Sequence, residues 1–532
     1  MNVSAIESRF RATLDRKAGA AKDGMVATAF PAATKAGVEM LRRGGNAVDA
    51  ACASALALGV CEPQASGLGG ECKALVHVDG KTFTVDGSSR APAAIDLTAP
   101  GQDALSVGYG GASVPSTLAV LGHLQRRYGR LSWKEILAPS VLIAREGYAI
   151  TKLQHDLQVR ELAFFKQVPS LSGSRYFLKP GSTPYEPGEV FTQPELADLL
   201  GAIAELGPEH FYTGEPARRV DEDMRVNGGY LRYEDLADIP WPVERPALVG
   251  EYRGRRIATM PPSSGGRMLL FALRALQRLP SSLLYERSPE SCELLAELFK
   301  ATLLANETSL PDPDTYSPGV DPMVNGLGVG EALAMPPLSA YGETPGETTH
   351  LSVMDKDGNA VGITQSINLV YGGKAAADGL GFLYNNYLID MNREDPGHPH
   401  YLKPKGRSCS FVAPTLVFDG DEPWILTGSP GSLRIFTTVV QFLSNVMDRD
   451  MTIYEAMTEP RLHCTSTGLV SLEAERFRPG VLAHLERRGF ELDRRDSWTF
   501  YLGAVHAILR SRSGHGFQGV AEIRRDGTAE GI

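Results

Sequence analysis

Several features that mark other protein classes are scarce or missing in this sequence. Its 532 residues include only 6 cysteines, which are scattered without CxxC spacing, so we expect reduced thiols and no disulfide framework. The most apolar stretch, Ala47 to Val60, is shorter than the roughly 20 residues that cross a bilayer. The formal charge of −10, with no basic run and no aromatic stacking motif, argues against nucleic acid as a partner.

Signals for targeting, cofactors and metals are also missing. Met1 to Asp23 has no continuous apolar region, so it resembles neither a secretory signal nor a membrane anchor, and we predict a cytoplasmic protein. No GxSxG elbow, Walker loop or HExxH helix is present, and no cofactor is predicted. His398 and His400 form an i, i+2 pair without further ligands, which favours a solvated loop over a metal site. A small-molecule substrate fits this composition best.

Local patterning predicts helices mixed with hairpins. Helical spacing covers Pro31 to Arg43, Ala47 to Val60, Leu137 to Arg145, Leu199 to Leu206 and Cys292 to Leu304. Two strands, 74–78 and 82–85, are predicted around an Asp-Gly turn. Segments 150–190 and 310–347 are rich in turn residues and are predicted to be irregular. Periodicity by itself therefore predicts only a mixed α and β protein.

The most informative stretch begins at Glu347-Thr348-Thr349. A threonine hydroxyl is a weak nucleophile unless a base lies within hydrogen-bond reach, and a free α-amino group on the same residue is such a base. The reference pKa of an α-amino group, roughly 7.7 to 8.0, suits proton transfer near neutral pH. Thr348 gains a free amine only if the bond after Glu347 is cut. We therefore predict a cleavage site between these two residues.

A predicted hairpin supplies geometry for this hypothesis. The residues after Thr348 alternate in polarity, pass through turn chemistry near Asp357, and then alternate again. Counting outward from the turn places Thr348 opposite Ser366, with Asn368 two residues further along. The alternative is that Thr348 and Thr349 merely begin a strand, where threonine is common. Spacing alone leaves both interpretations open.

Ordered motifs along the chain carry a family resemblance. Downstream, the motifs are Thr348-Thr349-His350-Leu351-Ser352-Val353, Asp357-Gly358-Asn359-Ala360-Val361, Asn385-Asn386 with Asp390, and Gly428-Ser429-Pro430-Gly431 followed by Arg434-Ile435. Upstream, they are Gly24-Met25-Val26-Ala27, Gly44-Gly45-Asn46-Ala47-Val48-Asp49-Ala50-Ala51, Ser66-Gly67-Leu68-Gly69-Gly70 and Pro261-Pro262-Ser263-Ser264-Gly265-Gly266. The first set resembles the small subunit of the γ-glutamyltransferases and the second resembles their large subunit.

This resemblance implies the fold, the subunits and the reaction. The implied fold is the α+β four-layer αββα sandwich of the N-terminal nucleophile hydrolases, with two antiparallel sheets flanked by helices. Residues 1–347 would form a large subunit and 348–532 a small one, intertwined in one domain. Thr348 would attack the carbonyl of Glu347 to free its own amine, and would then take an acyl group from a substrate amide for transfer to water or an acceptor amine.

The resemblance also implies roles for individual residues. Gly431 and Ser432 match paired glycines whose N–H groups would stabilise an oxyanion, and Ser366 matches a threonine that hydrogen-bonds the nucleophile. Asp390 matches the residue that holds the α-amino group of a γ-glutamyl substrate, and Asn368 matches a contact to its α-carboxylate. The first of two adjacent serines near that carboxylate matches Ser410.

Three departures from the family pattern concern the substrate pocket. The carboxylate-binding arginine of the family falls at Ser88, and Arg90, displaced by two positions, is a candidate replacement. The second paired serine is Phe411, and a glutamine near the amino group is Tyr387. These changes make the pocket more aromatic and disfavour glutathione itself as the substrate.

Three hypotheses follow from the sequence. The first is a γ-glutamyl hydrolase or transferase with a modified pocket. The second keeps the Thr348 chemistry for another acyl group, as in amidohydrolases of oxamate-like or glutaryl-like amides. The third, from a different class, is a noncatalytic binding scaffold.

Overall fold

Helices and strands alternate along the computed structural model, which describes residues 17–96, 101–335, 346–511 and 516–532. The α-helices are Pro31–Arg42, Ala47–Cys61, Gln102–Ser106, Thr117–Tyr128, Trp133–Glu146, Lys152–Phe165, Ser172–Phe177, Pro194–Leu206, Glu209–Thr213, Glu215–Val226, Tyr233–Ala237, Gly266–Gln277, Ser282–Tyr285, Pro289–Thr308, Pro322–Asn325, Val329–Leu333, Arg434–Met447, Ile453–Thr458 and Val481–Arg487. Short 3₁₀ turns cover Pro318–Val320, Tyr387–Asp390, Ala474–Arg476 and Phe500–Leu502.

Most strands belong to two seven-stranded antiparallel sheets. Strands β1 to β19 are Ala18–Ala21, Gly24–Thr28, Glu71–Val78, Lys81–Gly87, Tyr148–Ala149, Val190–Phe191, Val243–Pro246, Leu248–Tyr252, Arg255–Thr259, Gly346–Asp355, Ala360–Leu369, Thr415–Asp419, Glu422–Gly428, Leu462–Cys464, Leu469–Glu473, Glu491–Arg495, His506–Arg510, Phe517–Ala521 and Thr528–Gly531. One sheet has the order β1-β18-β17-β13-β12-β9-β8 and the other β19-β2-β10-β11-β3-β4-β7. Each sheet combines strands from before and after residue 348.

Three apolar interfaces divide the molecule into four layers. Met25, Met354, Leu416 and Phe418 form a cluster that joins the inner faces of the two sheets. A second cluster packs helices such as Ala47–Cys61 on the β10-containing sheet, and a third packs helices such as Arg434–Met447 on the β13-containing sheet. Burial on both faces places even polar residues of the central strands, such as His350 and Gln365, in the interior. The expected αββα sandwich is confirmed.

The buried helix Ala47–Cys61 shows how local sequence determines where a helix begins. The side chain of Asn46 accepts hydrogen bonds from the N–H groups of Val48 and Asp49, and Asp49 accepts one from the backbone of Asn46, which completes a capping box. Asp49 also accepts the backbone N–H groups of Arg130 and Leu131. The predicted start of this helix and the position of its acidic residue are confirmed.

The central hairpin is β10 and β11, which pair antiparallel as predicted. The predicted register holds from the turn down to the pair Thr349 and Gln365, and then shifts so that Glu347 faces Asn368. Between these two pairs β10 contributes Thr348 alone and β11 contributes Ser366 and Ile367, so the extra residue of this β-bulge lies on β11, opposite Thr348. Bulges redirect side chains and are frequent near active sites, because the extra residue leaves the regular ladder.

Two predictions about loops are wrong. Segment 150–190 contains the helices Lys152–Phe165 and Ser172–Phe177, because Thr151 caps the first of them through a capping box that turn counting overlooked. His400 does not lie in a solvated loop; it is 3% exposed, and burial lowers its pKa to about 4. Of the segment 310–347, residues 336–345 lie outside the described residues, and the remainder includes two short helices.

Candidate active site

Thr348 sits in a short chain of hydrogen bonds that includes the bond preceding it. Its Oγ1 donates to Ser366 Oγ at 3.1 Å, and Ser366 Oγ donates to the carbonyl oxygen of Glu347 at 2.7 Å. The backbone N–H of Asn368 donates to the same Ser366 hydroxyl at 2.9 Å. The Ser366 hydroxyl therefore links Thr348 Oγ1, the candidate nucleophile, to the Glu347 carbonyl that Thr348 would attack. Thr348 is only 6% exposed, which limits competition from bulk water.

The Glu347 side chain is fixed by an ion pair that the sequence did not reveal. Its carboxylate pairs with the guanidinium of Arg525, which also donates to the carbonyl oxygen of Thr348 at 3.5 Å. A second carboxylate, Glu62, lies 3.6 Å from Arg525. Burial raises the pKa of Glu62 to about 8 although Arg525 opposes the shift, so this group is mostly protonated at neutral pH. Arg525 thus holds both residues of the proposed cleavage site.

The predicted substrate contacts converge beside Ser366. Asn368 donates through Nδ2 to the carbonyl of Asn386 at 3.3 Å and hydrogen-bonds to Asp390. Burial raises the pKa of Asp390 to about 7, against the opposing effect of Asn368. The Tyr387 hydroxyl hydrogen-bonds to Ser366, the residue to which Thr348 Oγ1 donates. These residues form one polar recess with Thr348.

Two charged residues in this recess were not identified from the sequence. Glu71 accepts hydrogen bonds from the N–H of Ser89 at 3.0 Å and from Ser408 Oγ at 2.9 Å, and it interacts with Tyr387. Lys73 Nζ lies 3.2 Å from Ser264 Oγ and 4.0 Å from Glu71. Both side chains are buried in β3. Charges inside an otherwise apolar strand were the available signal, because a buried charge needs a partner or a function.

Of the remaining positions predicted to contact substrate, Ser88 is buried and Arg90 is exposed. Ser88 hydrogen-bonds to Asp86 at 2.6 Å and to Ser263 Oγ at 2.8 Å, so its position remains part of the recess wall. Arg90 is exposed, and its guanidinium donates to the carbonyl of Lys405 at 3.5 Å, which gives no support to its role as a replacement arginine.

Ser410 and Phe411 lie in the irregular segment that precedes β12. Ser410 is 8% exposed and its N–H donates to the carbonyl of Ser263 at 3.1 Å. Phe411 packs against Val412 and Ile435, at the start of the helix Arg434–Met447. The Phe411 ring therefore contributes to apolar packing beside this helix.

The Gly431-Ser432 loop lies beside the cleavage site. Gly431 has φ +125° and Ser432 has φ +54°, so both residues adopt the left-handed half of backbone space. A side chain added at Gly346 would meet the Ser432 Cβ at 3.2 Å, and Gly431 lines the same cleft as Glu347. Backbone N–H groups in such a turn, just before the N-terminus of the helix Arg434–Met447, are suited to stabilise negative charge.

Comparisons with known proteins show which family this chain belongs to. The family model described as gamma-glutamyltranspeptidase matches residues 33–532. The chain belongs to the γ-glutamyltranspeptidase family. It is 30% identical to the glutathione hydrolase proenzyme of Escherichia coli K12, over 92% of this chain and 88% of that one. It is also 30% identical to the acylase ACY 1 proenzyme of Pseudomonas sp. strain V22, over 98% of this chain and 95% of that one.

Solved structures give the same result. The cephalosporin acylase from Bacillus halodurans superposes with a TM-score of 0.87 at 27% identity, covering 97% of each chain. The chain is therefore an enzyme of the γ-glutamyltranspeptidase family with its N-terminal nucleophile hydrolase fold. The third hypothesis from the sequence, a noncatalytic scaffold, has no support from these relatives.

The described part of this γ-glutamyltranspeptidase family member has neither a candidate metal site nor a helix that could span a membrane. No group of three His, Cys, Asp or Glu residues in those ranges could hold a metal ion. Within the same ranges, no helix is both long and apolar enough to span a membrane. The six cysteines are free thiols, and all except Cys409 are buried.

The φ of Ser432 leads to a prediction about a position where the family has glycine. Replacing Ser432 by Val should lower the free energy of unfolding by about 1 to 2 kcal/mol, because a β-branched side chain is strained at positive φ. The same change should slow formation of the two cleavage fragments, since the loop borders the scissile carbonyl. Urea unfolding and denaturing gels measure the two effects. Ser432→Gly is the matched control and should be at least as stable as the wild type; equal behaviour of the Val and Gly variants would contradict the explanation.

Proposed function

We propose that this enzyme cuts its own chain between Glu347 and Thr348 and then uses Thr348 as an N-terminal nucleophile on γ-glutamyl amides, within a modified pocket. The observation that carries the proposal is the hydroxyl of Ser366, which bonds both to Thr348 Oγ1 and to the Glu347 carbonyl oxygen. Ser366 can relay the proton that Thr348 releases by passing its own proton toward the Glu347 carbonyl oxygen, where negative charge develops.

Maturation follows as an N-to-O acyl shift. Thr348 Oγ bonds to the carbonyl carbon of Glu347, the oxyanion collapses, and the C–N bond breaks as the Thr348 nitrogen takes up a proton. Water then hydrolyses the ester and releases the Thr348 amine and a new carboxylate on Glu347. The two products, 1–347 and 348–532, stay associated because both sheets contain strands from each.

Turnover uses the same groups on an external amide. The free amine of Thr348 takes the proton from its own hydroxyl, which attacks the substrate carbonyl and releases an amine. Water or an acceptor amine then resolves the acyl ester. The names of the curated relatives, glutathione hydrolase and acylase, both describe cleavage of an acyl–nitrogen bond and support this reaction class.

The γ-glutamyl assignment depends on Asp390 and Asn368, which are hydrogen-bonded to each other within reach of Ser366. A carboxylate at Asp390 pairs with the α-ammonium of a γ-glutamyl group. A second candidate, an acylase for an amide without that ammonium, is favoured by the likeness to cephalosporin acylase and by the aromatic residue Tyr387, whose hydroxyl hydrogen-bonds to Ser366.

Two matched substrates separate these candidates. γ-Glutamyl anilide and glutaryl anilide differ only in the α-amino group, and we expect the enzyme to prefer the first by about 100-fold or more in kcat/KM. Burial raises the pKa of Asp390 to about 7, so the carboxyl is neutral below that pH and charged above it. The preference should therefore grow from about pH 6 to about pH 8 and should be lost in Asp390→Asn. A preference for the glutaryl compound at every pH would establish the acylase instead.

A further inference from the structure

A row of polar side chains crosses three neighbouring strands at the cleavage site. Ser366 of β11 lies opposite Thr348 of β10, and on its other side it is the direct antiparallel partner of Glu71 in β3. Directly paired residues point to the same face of a sheet, with Cβ atoms about 4.5 to 5.5 Å apart. All three residues are buried. A carboxylate therefore lies one strand away from the hydroxyl that bonds to the candidate nucleophile.

The Tyr387 hydroxyl bridges the two outer members of this pair. It hydrogen-bonds to Ser366 on one side and to Glu71 on the other. The N–H of Tyr387 donates to Asn385 Oδ1 at 3.2 Å, which fixes the turn that carries the ring. Burial raises the pKa of Tyr387 well above its ordinary value, so the side chain stays a hydroxyl that can receive one proton while it gives up another. The hydrogen-bonded chain thus runs from Thr348 to Glu71.

The Glu71 carboxylate at the end of this chain is held in place by donors. Its Oε2 accepts the N–H of Ser89 at 3.0 Å and the hydroxyl of Ser408 at 2.9 Å, while Oε1 lies 4.0 Å from Lys73 Nζ. The titratable side chains that face Glu71 from the surrounding elements are Lys73, Tyr387, Asp390 and Cys409. Glu71 is therefore a fixed, buried carboxylate for which the proposed reaction has so far no use.

The uncut chain needs a proton acceptor that the mature enzyme does not need. Before the cut, the Thr348 nitrogen belongs to a peptide bond and cannot act as a base, whereas afterwards it is a free amine. The proton of Thr348 Oγ1 must leave through Ser366, to which it donates. The Glu347 carbonyl oxygen, which accepts from Ser366, is a very weak base until attack has begun. A carboxylate can take up the proton as the attack begins.

We propose that Glu71 is the proton acceptor for self-cleavage and that it acts through Tyr387 and Ser366. The inference rests on the proposed function, because it concerns the same cut. As Thr348 Oγ bonds to the carbonyl carbon, its proton passes to Ser366, which gives its own proton to Tyr387. Tyr387 in turn protonates Glu71. When the C–N bond breaks, the proton returns along the chain to the Thr348 nitrogen, and Glu71 is a carboxylate again.

Two substitutions test the chain at different points. Glu71→Gln keeps the shape and an oxygen that accepts hydrogen bonds from Ser89 and Ser408, but an amide is not a base. Tyr387→Phe interrupts the chain in the middle. Each should slow the cut by about 100-fold, measured on denaturing gels after a pulse of cell-free synthesis. In the double variant the cut should be at most about threefold slower than in either single variant, because both changes remove one route.

The pH dependence separates a proton acceptor from a residue that only supports the fold. In the wild type the rate levels off once Glu71 is charged, whereas in Glu71→Gln hydroxide must replace the carboxylate. The ratio of the two rates should therefore fall by about tenfold per pH unit at alkaline pH. Asp390 is present in both proteins, so its own titration affects both rates. A ratio that does not change with pH, or single effects that multiply in the double variant, would overturn the inference.

The matched control is Tyr384→Phe. It also removes a buried tyrosine hydroxyl that donates to a carboxylate, here Asp223 at 2.8 Å, and it should be cut at the wild-type rate. If Glu71→Gln does not fold, Tyr387→Phe and its own pH profile carry the test. A folded Glu71→Gln or Tyr387→Phe chain that is cut as fast as the wild type would disprove the inference and leave the proposed function standing. A wild-type chain that is never cut would contradict the proposed function itself.

Discussion

Thr348→Ala should leave the chain as one 532-residue polypeptide and abolish amide cleavage. The substitution removes the hydroxyl that bonds to Ser366 at 3.1 Å, and with it both the nucleophile for the cut and the nucleophile for turnover. Loss of a covalent nucleophile lowers kcat by about 1,000-fold or more. Denaturing gels after prolonged incubation and an assay on γ-glutamyl and glutaryl anilides measure the two effects.

The control for this prediction is Thr348→Ser, which keeps a hydroxyl opposite Ser366 and lacks only the methyl group. It should still form two fragments, though more slowly, because the unbranched side chain samples more rotamers. The fold should survive both changes, since Thr348 contributes little to the apolar clusters. Formation of two fragments by Thr348→Ala, or full activity in that variant, would contradict the assignment of the nucleophile.

Ser366→Ala should have the second largest effect, on maturation. It removes a hydrogen bond to Thr348 Oγ1 and another, at 2.7 Å, to the oxygen that becomes negative during attack. Loss of one such donor costs about 100-fold to 1,000-fold in rate. The half-time of the uncut chain, followed on gels from the moment of purification, should lengthen by that factor.

Ser366→Thr is the matched control because it keeps the hydroxyl that Asn368 N–H and Thr348 share. Its chain should be cut at a rate within about tenfold of the wild type, since only a methyl group is added in a buried site. A Ser366→Ala chain that is cut as fast as the wild type would show that the serine is a passive member of the hydrogen-bond chain.

The parts of the site that the sequence predicted well are those set by local rules. Alternation and turn chemistry around Asp357 gave the hairpin, and counting from that turn brought Thr348 next to Ser366. The cap of the helix at Asn46 followed from side chains within three residues of it. The bulge on β11 opposite Thr348 was not predictable, because a register shift depends on strands that come from distant parts of the chain.

The residues of the site that could not be identified from the sequence are held by contacts between distant parts of the chain. Arg525 reaches Glu347 across 178 positions, and Glu71 receives Ser408 across 337. No local pattern connects such pairs. Arg90 was predicted to replace the family arginine although it is displaced from that position by two residues. In the structure Arg90 is exposed at the surface, and Lys73 is buried next to Ser263 instead.

The proposed mechanism depends most directly on where the mature chain is cut. Intact-mass measurement combined with N-terminal sequencing of the purified protein identifies the new terminus. We predict that the smaller fragment begins at Thr348 and ends at Ile532, and that activity appears in step with it. A fully active protein that is still whole, or a fragment whose first residue is not Thr348, would contradict the central claim.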